Sequence, residues 1–203
     1  GNRGITNVLS LKNVHTLCLS YTNIKDISML GNVHTLFLNH CKNITDITVL
    51  KHVHTLHLEE CENITDVSML KNIHNLSLAR CKNIKDMSML GNIHTLCLSY
   101  TNITDVSMLG NVHTLYLSHC RNITDVSELG NVHTLNLSNT NIIDVSMLGN
   151  VHTLDFTNCR NIIDVSMLGN VNTLNLSYCK NIKDVSMLGN VCTLKLFMCG
   201  IYK

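Results

Sequence analysis

Leu11, Leu30, Leu50, Leu70, Leu90, Leu109, Leu129, Leu148, Leu168 and Leu188 recur at steps of 19 or 20 residues, and each opens a near-copy of one unit. A fixed period this short specifies stacked units, none large enough to bury its own apolar face alone. The unit reads L-x-x-V-H-T-L-x-L-x-x-(C/T)-N-I-x-D-V-S-M. Its first full copy holds Val14, His15, Thr16, Leu17, Leu19, Thr22, Asn23, Ile24, Asp26 and Ile27. Copies with cysteine at the twelfth position carry one extra residue, as in Cys41-Lys42-Asn43-Ile44, and copies with threonine do not, as in Thr101-Asn102-Ile103. The last copy breaks this rule, because Cys199-Gly200-Ile201 pairs cysteine with the short spacing.

Leu17-x-Leu19 and its counterparts alternate with period two, which predicts a short strand. A unit of about 20 residues has no room for a strand, its turns and a helix of ordinary length. The return side is therefore expected to consist of turns or 3₁₀ segments. Stacking identical units in register sets each strand beside its counterpart about 4.8 Å away, a parallel sheet on one face. The coil is expected to be right-handed, and two thin walls imply low curvature. The chain has no proline in 203 residues, as suits a backbone whose N–H groups are donated from coil to coil.

The stretch Leu96-Cys97-Leu98-Ser99-Tyr100-Thr101-Asn102-Ile103 resembles the leucine-rich repeat signature LxLxxNxL, with Thr or Cys where that family usually has Asn. The Cys120-to-Asp125 form is similar to the cysteine-containing subclass. The Asp-Val-Ser-x-Leu tail resembles the internalin subclass with one three-residue step missing. Such uniform arrays are also similar to repeat proteins of large DNA viruses. The resemblance covers the whole chain and implies a leucine-rich repeat solenoid of about ten repeats. It leaves the ligand open, because sites are grafted on folds.

One domain over residues 1–203 is expected, beginning and ending in mid-repeat without evident caps. The core should be aliphatic, with no tryptophan and only 4% aromatic residues. No apolar run of about 18 residues predicts a membrane span. A net charge of +1 gives no electrostatic case for nucleic acid or anionic lipid.

Several residue types recur as rows. Cys41, Cys61, Cys81, Cys120, Cys159, Cys179 and Cys199 share one position. In the family that position points inward and satisfies backbone groups, so a buried free-thiol ladder is expected. A parallel row cannot converge on a tetrahedral metal. Free thiols favour a reducing, cytoplasmic setting. The sequons at Asn136 and Asn175 point the same way, since glycans there would cover the strand face. His15 through His152 form a second row, read either as a pH-sensing or metal-binding array or as an exposed, half-stacked row. Asp26 through Asp184 form a third, suited to Asx-turns or short-helix caps and less to calcium, which needs clustered acids within one loop. The methionines at Met29, Met69, Met89, Met108, Met147, Met167 and Met187 read as filler under the return wall, with a soft docking stripe as the alternative.

Function rests on the positions where copies differ. The residue between the paired leucines faces outward, and it is joined by two more positions after the strand. In coils two to six these carry Phe37, His40, His57, Glu59, Glu60, Arg80, Tyr100, Tyr116 and His119, a set rich in the aromatic and arginine side chains that anchor interfaces. These are the candidate partner-binding residues, and the partner is expected to be a protein or peptide. No copy stands out as a nucleophile with its base, and no phosphate loop is present, so neither enzyme activity nor a cofactor is expected. The alternative is an architectural role, in which uncapped ends associate end to end.

Overall fold

The computed structural model describes residues 8, 11 and 14–201. The chain divides into two compact units, Gly1–Thr101 and Asn102–Lys203.

In the first unit, strands β1 (Thr16–Cys18), β2 (Thr35–Phe37), β3 (Thr55–His57), β4 (Asn75–Ser77) and β5 (Thr95–Cys97) follow one another. Each pairs in parallel with the next, Thr35 opposite Thr55 and Leu36 opposite Leu56. The second unit repeats the arrangement with β6 (Thr114–Tyr116), β7 (Thr134–Asn136), β8 (Thr153–Asp155), β9 (Thr173–Asn175) and β10 (Thr193–Lys195). The register is the one the repeat dictates. A slip of one residue would turn every buried leucine outward.

The return side is built from 3₁₀ turns, such as Thr48–His52 and Ser68–Asn72 in the first unit and Ser146–Leu148 and Ser166–Leu168 in the second. Their bonds run three residues back, from Leu50 N–H to the Ile47 carbonyl (3.0 Å) and from Val53 N–H to Leu50 (3.1 Å). With three residues per turn, every third side chain faces the core. Ile142, Val145, Leu148 and Val151 are accordingly buried in sequence. In the second unit the methionine before such a leucine falls between two inward positions and points out, whereas Met69 in the first is half-buried. Met108, Met147, Met167 and Met187 are 60–63% exposed, which corrects the reading of this row as filler.

The core is aliphatic, and Phe156, fully buried, stands where other coils place leucine. Cys41, Cys61, Cys81, Cys120, Cys159 and Cys179 are buried free thiols. Where the next coil carries cysteine, the carbonyl just after a strand can be served twice. The Leu38 carbonyl accepts from Cys41 N–H (3.1 Å) and from the Cys61 thiol of the next coil (3.1 Å). In threonine coils the hydroxyl bonds its own coil, as Thr22 does to the Leu19 carbonyl (2.7 Å), which also receives the Cys41 thiol (3.2 Å). Burial pushes the thiols up, to about 12 for Cys61 and Cys179 and about 11 for Cys81. Gly200 explains the exceptional last copy. With cysteine and short spacing the chain passes so close to the coil before it that a Cβ would lie 1.8 Å from the Lys180 carbonyl oxygen.

Two further rows fasten the coils. The asparagine after the Cys/Thr position donates to a carbonyl of the preceding coil, as from Asn43 to Asn23 (3.1 Å) and from Asn161 to Asn141 (3.1 Å). Each aspartate closes the expected Asx-turn, Asp26 Oδ1 accepting from Ser28 N–H and Asp164 Oδ1 from Ser166 N–H, both at 2.9 Å. That backbone bond, with help from the serine hydroxyl, holds the aspartates below the usual carboxylate range.

Candidate functional site

The variable side chains are carried past each strand by a turn of unusual backbone. After Leu38 the chain continues through Asn39 and His40, and Cys41 N–H closes the turn onto the Leu38 carbonyl (3.1 Å). Turning inward within four residues while His40 N–H still bonds the Glu59 carbonyl (2.8 Å) puts His40 in the left-handed region. The same holds once per coil. Tyr21, His40, Glu60, Arg80 and Tyr100 in the first unit have φ between 58° and 64°, and His119, Asn139, Asn158, Tyr178 and Met198 in the second lie between 51° and 64°. No glycine among the described residues has positive φ.

In the first unit these side chains form a continuous strip. The Tyr21 and His40 rings stack at 4.2 Å. Nδ1 of His40 lies 3.1 Å from Oε2 of Glu60, and Oε1 of Glu60 lies 3.5 Å from Nη1 of Arg80. The Arg80 guanidinium then covers the Tyr100 ring, 4.4 Å from its centre. Each rung thus contacts its neighbour along the row.

A second cluster lies on the strands themselves. Phe37 stacks on His57 at 4.6 Å, as the register of β2 and β3 requires. Glu59 Oε1 accepts from the Ser77 hydroxyl (2.9 Å) and stands 3.9 Å from His57 Nδ1. Burial keeps the His57 imidazole below its ordinary range against the opposing pull of Glu59. Glu59 N–H bonds the Asn39 side chain (2.9 Å), which fixes the backbone beneath.

Seven of the nine sequence-chosen residues, Phe37, His40, His57, Glu59, Glu60, Arg80 and Tyr100, thus belong to the first unit and to these two clusters. Tyr116, exposed on β6, and His119, with φ 62°, hold the equivalent positions in the second unit. Tyr21 stands first in the same variable row, outside the nine chosen for coils two to six, and is 57% exposed. The left-handed backbone was missed. Its one sequence signal is the asparagine at 139 and 158, the residue type that accepts this conformation most readily after glycine.

Elsewhere, the histidine row is exposed and stacked, with ring centres 4.5 Å apart for His15–His34 and His133–His152. Among the described residues no three His, Cys, Asp or Glu side chains are grouped to hold a metal ion. No helix among them is long and apolar enough to cross a membrane.

No protein-family model and no curated protein matches the sequence. Solved structures do. An internalin, InlF, from Listeria monocytogenes aligns over 98% of this chain with TM-score 0.73 and 24% identity. The functional domain of InlJ from Listeria monocytogenes, which includes a cysteine ladder, aligns over 92% with TM-score 0.62 and 20% identity. This chain spans 66% of the InlF chain and 45% of the InlJ chain. Internalin C2 from Listeria monocytogenes aligns with TM-score 0.58 and 31% identity, covering 73% of both chains. The repeated strand and 3₁₀ turn, the in-register parallel pairing and this identity to internalin C2 together establish that the chain belongs to the leucine-rich repeat family.

Proposed function

We propose that the protein is a non-enzymatic interaction module that binds a protein or peptide partner through the strand face of its first unit. One observation carries this reading. The left-handed position costs an ordinary L-residue about 1–2 kcal/mol, and a fold selected for stability alone would place Asn or Gly there. Asn139 and Asn158 meet that preference in the second unit. His119, Tyr178 and Met198 there do not, and in the first unit none of the five positions does, Tyr21, His40, Glu60, Arg80 and Tyr100 occupying it in unbroken succession. Residues held against backbone preference cluster at ligand sites, and these supply the tyrosine and arginine that anchor interfaces. Their mutual pairing lowers the ordering cost of binding.

The test replaces the strip without disturbing the turn. His40→Asn, Glu60→Asn, Arg80→Asn and Tyr100→Asn are combined, because asparagine tolerates the left-handed backbone. Affinity capture with wild-type and variant chains is compared by quantitative mass spectrometry. Loss of one captured partner is expected, with a melting temperature no lower than that of wild type. Retention of every captured protein overturns the choice of surface.

A further inference from the structure

The return side of the second unit carries an apolar patch that the strand-face reading does not use. The residue just before each turn aspartate is Lys25, Thr45, Thr65, Lys85, Thr104 and Thr124 in the earlier coils, but isoleucine in two consecutive coils, Ile143 and Ile163. Both are about two-thirds exposed, at 66% and 64%. The outward methionines Met147, Met167 and Met187 stand in the same coils and the next one. Together they frame two shallow depressions in adjacent coils. One, of about 240 Å³, is lined by Ile143 and Met167; the other, of about 230 Å³, by Ile163 and Met187. The corresponding depression in the first unit, about 560 Å³, is lined by Lys25, Thr45 and Thr48. The depression is thus a feature of the fold, and its apolar lining is a feature of these coils.

What the patch fits follows from its spacing and its charge. The depressions recur with the coils, about 4.8 Å apart, close to the separation of about 5–6 Å between side chains three or four residues apart on a helix. Alternate residues of an extended strand lie about 6.6 Å apart and do not match. Asp144, Asp164 and Asp184 line the depressions, and Lys183, which also lines the second, donates its Nζ to the Gly200 carbonyl (3.4 Å), so three carboxylates outnumber one lysine at the border of the patch. That border attracts basic side chains and repels anionic lipid headgroups. Thioethers adapt to irregular apolar surfaces. We propose that this patch docks an amphipathic helix of a partner protein, apolar residues one turn apart entering successive depressions and lysine or arginine facing the aspartate row.

The test uses the full chain and a designed helical peptide of about 14 residues with leucines spaced three and four apart and flanking lysines. A second peptide carries glutamate in place of lysine. Amide chemical shifts and fluorescence polarisation read binding. The lysine peptide is expected to shift amides around Ile143, Ile163 and Met167, to weaken with salt, and to bind at least about tenfold more tightly than the glutamate peptide. Ile143→Thr, Ile163→Thr and Met167→Glu together introduce residue types already present at those positions in other coils, as Thr45 and Glu128. This variant is expected to melt like wild type and to lose at least about tenfold in affinity. Equal binding of both peptides, absence of binding, wild-type affinity in the triple variant, or shifts confined to the strand face overturns the proposal. So does finding that the patch instead binds vesicles or a second copy of this chain.

Discussion

The guanidinium of Arg80 rests on the ring of Tyr100, 4.4 Å from its centre, while Nη1 reaches back to within 3.5 Å of Glu60. An arginine so placed is held from both sides yet remains half exposed, its side chain 51% accessible. Contacts of this kind at an exposed site contribute about 0.5–1 kcal/mol. Arg80→Ala should therefore change folding stability by less than about 1 kcal/mol in a urea titration. If Arg80 anchors the partner, the same change should weaken its binding by about 2 kcal/mol or more, roughly thirtyfold, in calorimetry. An equal, small effect on both would make Arg80 a bystander.

Glu60 has φ 58°, which a β-branched side chain adopts only with severe strain. Glu60→Val should cost about 1–2 kcal/mol of stability, whereas Glu60→Asn should cost none. Matched denaturant titrations check this. Equal effects of the two changes would show that the backbone there is not left-handed.

Cys18 and Cys192 are exposed and Cys97 and Cys199 are half-buried, whereas the other six cysteines are buried. Burial raises the ladder thiols far from thiolate formation at neutral pH, and only the thiolate reacts. A native chain treated with a thiol-exchange reagent should label Cys18 and Cys192 rapidly, and all 10 cysteines only after denaturation. Rapid labelling of Cys61 or Cys179 in the native state would contradict the buried ladder.

His34, His74 and His133 are held below the ordinary imidazole range, first by partial desolvation and then by the charges of the histidines stacked on either side. Because their folded-state values are depressed, the unfolded chain binds more protons as the pH falls. Stability is complete above about pH 6.5 and declines as the pH drops through the depressed folded-state range. The Asp26-type carboxylates, also depressed, lose their contribution only below about pH 4, so the two windows are separate. The melting temperature should fall between about pH 7.5 and 5.5. Replacing His34, His74 and His133 by Asn, the residue that Asn172 places in the same row, should remove most of that fall. A flat profile in the wild type would rule out the effect.

The period alone was enough to place Thr35 opposite Thr55, to bury Leu36 and Leu38, and to seat Asp46 Oδ1 on Thr48 N–H (2.9 Å). These follow from stacking identical units, which forces equivalent residues into contact. What stayed hidden depends on the sign or pitch of a turn. The sign of φ at His40 leaves no mark in side-chain periodicity. Met147 turns outward because the return wall buries every third residue through Val145 and Leu148, a pitch visible only once the wall is known to be 3₁₀. The variable row drew attention to His40, Glu60, Arg80 and Tyr100, but their linkage into one strip required their rotamers, which a list of residue types does not supply.

Amide hydrogen exchange on the chain with and without its captured partner tests the proposed binding surface most directly. Added protection is expected at Phe37–His40, His57–Glu60 and the turns bearing Arg80 and Tyr100, with the 3₁₀ segments Thr48–His52 and Ser68–Asn72 unchanged. Protection confined to those 3₁₀ segments, with the strand-face strip exchanging as in the free chain, would contradict it.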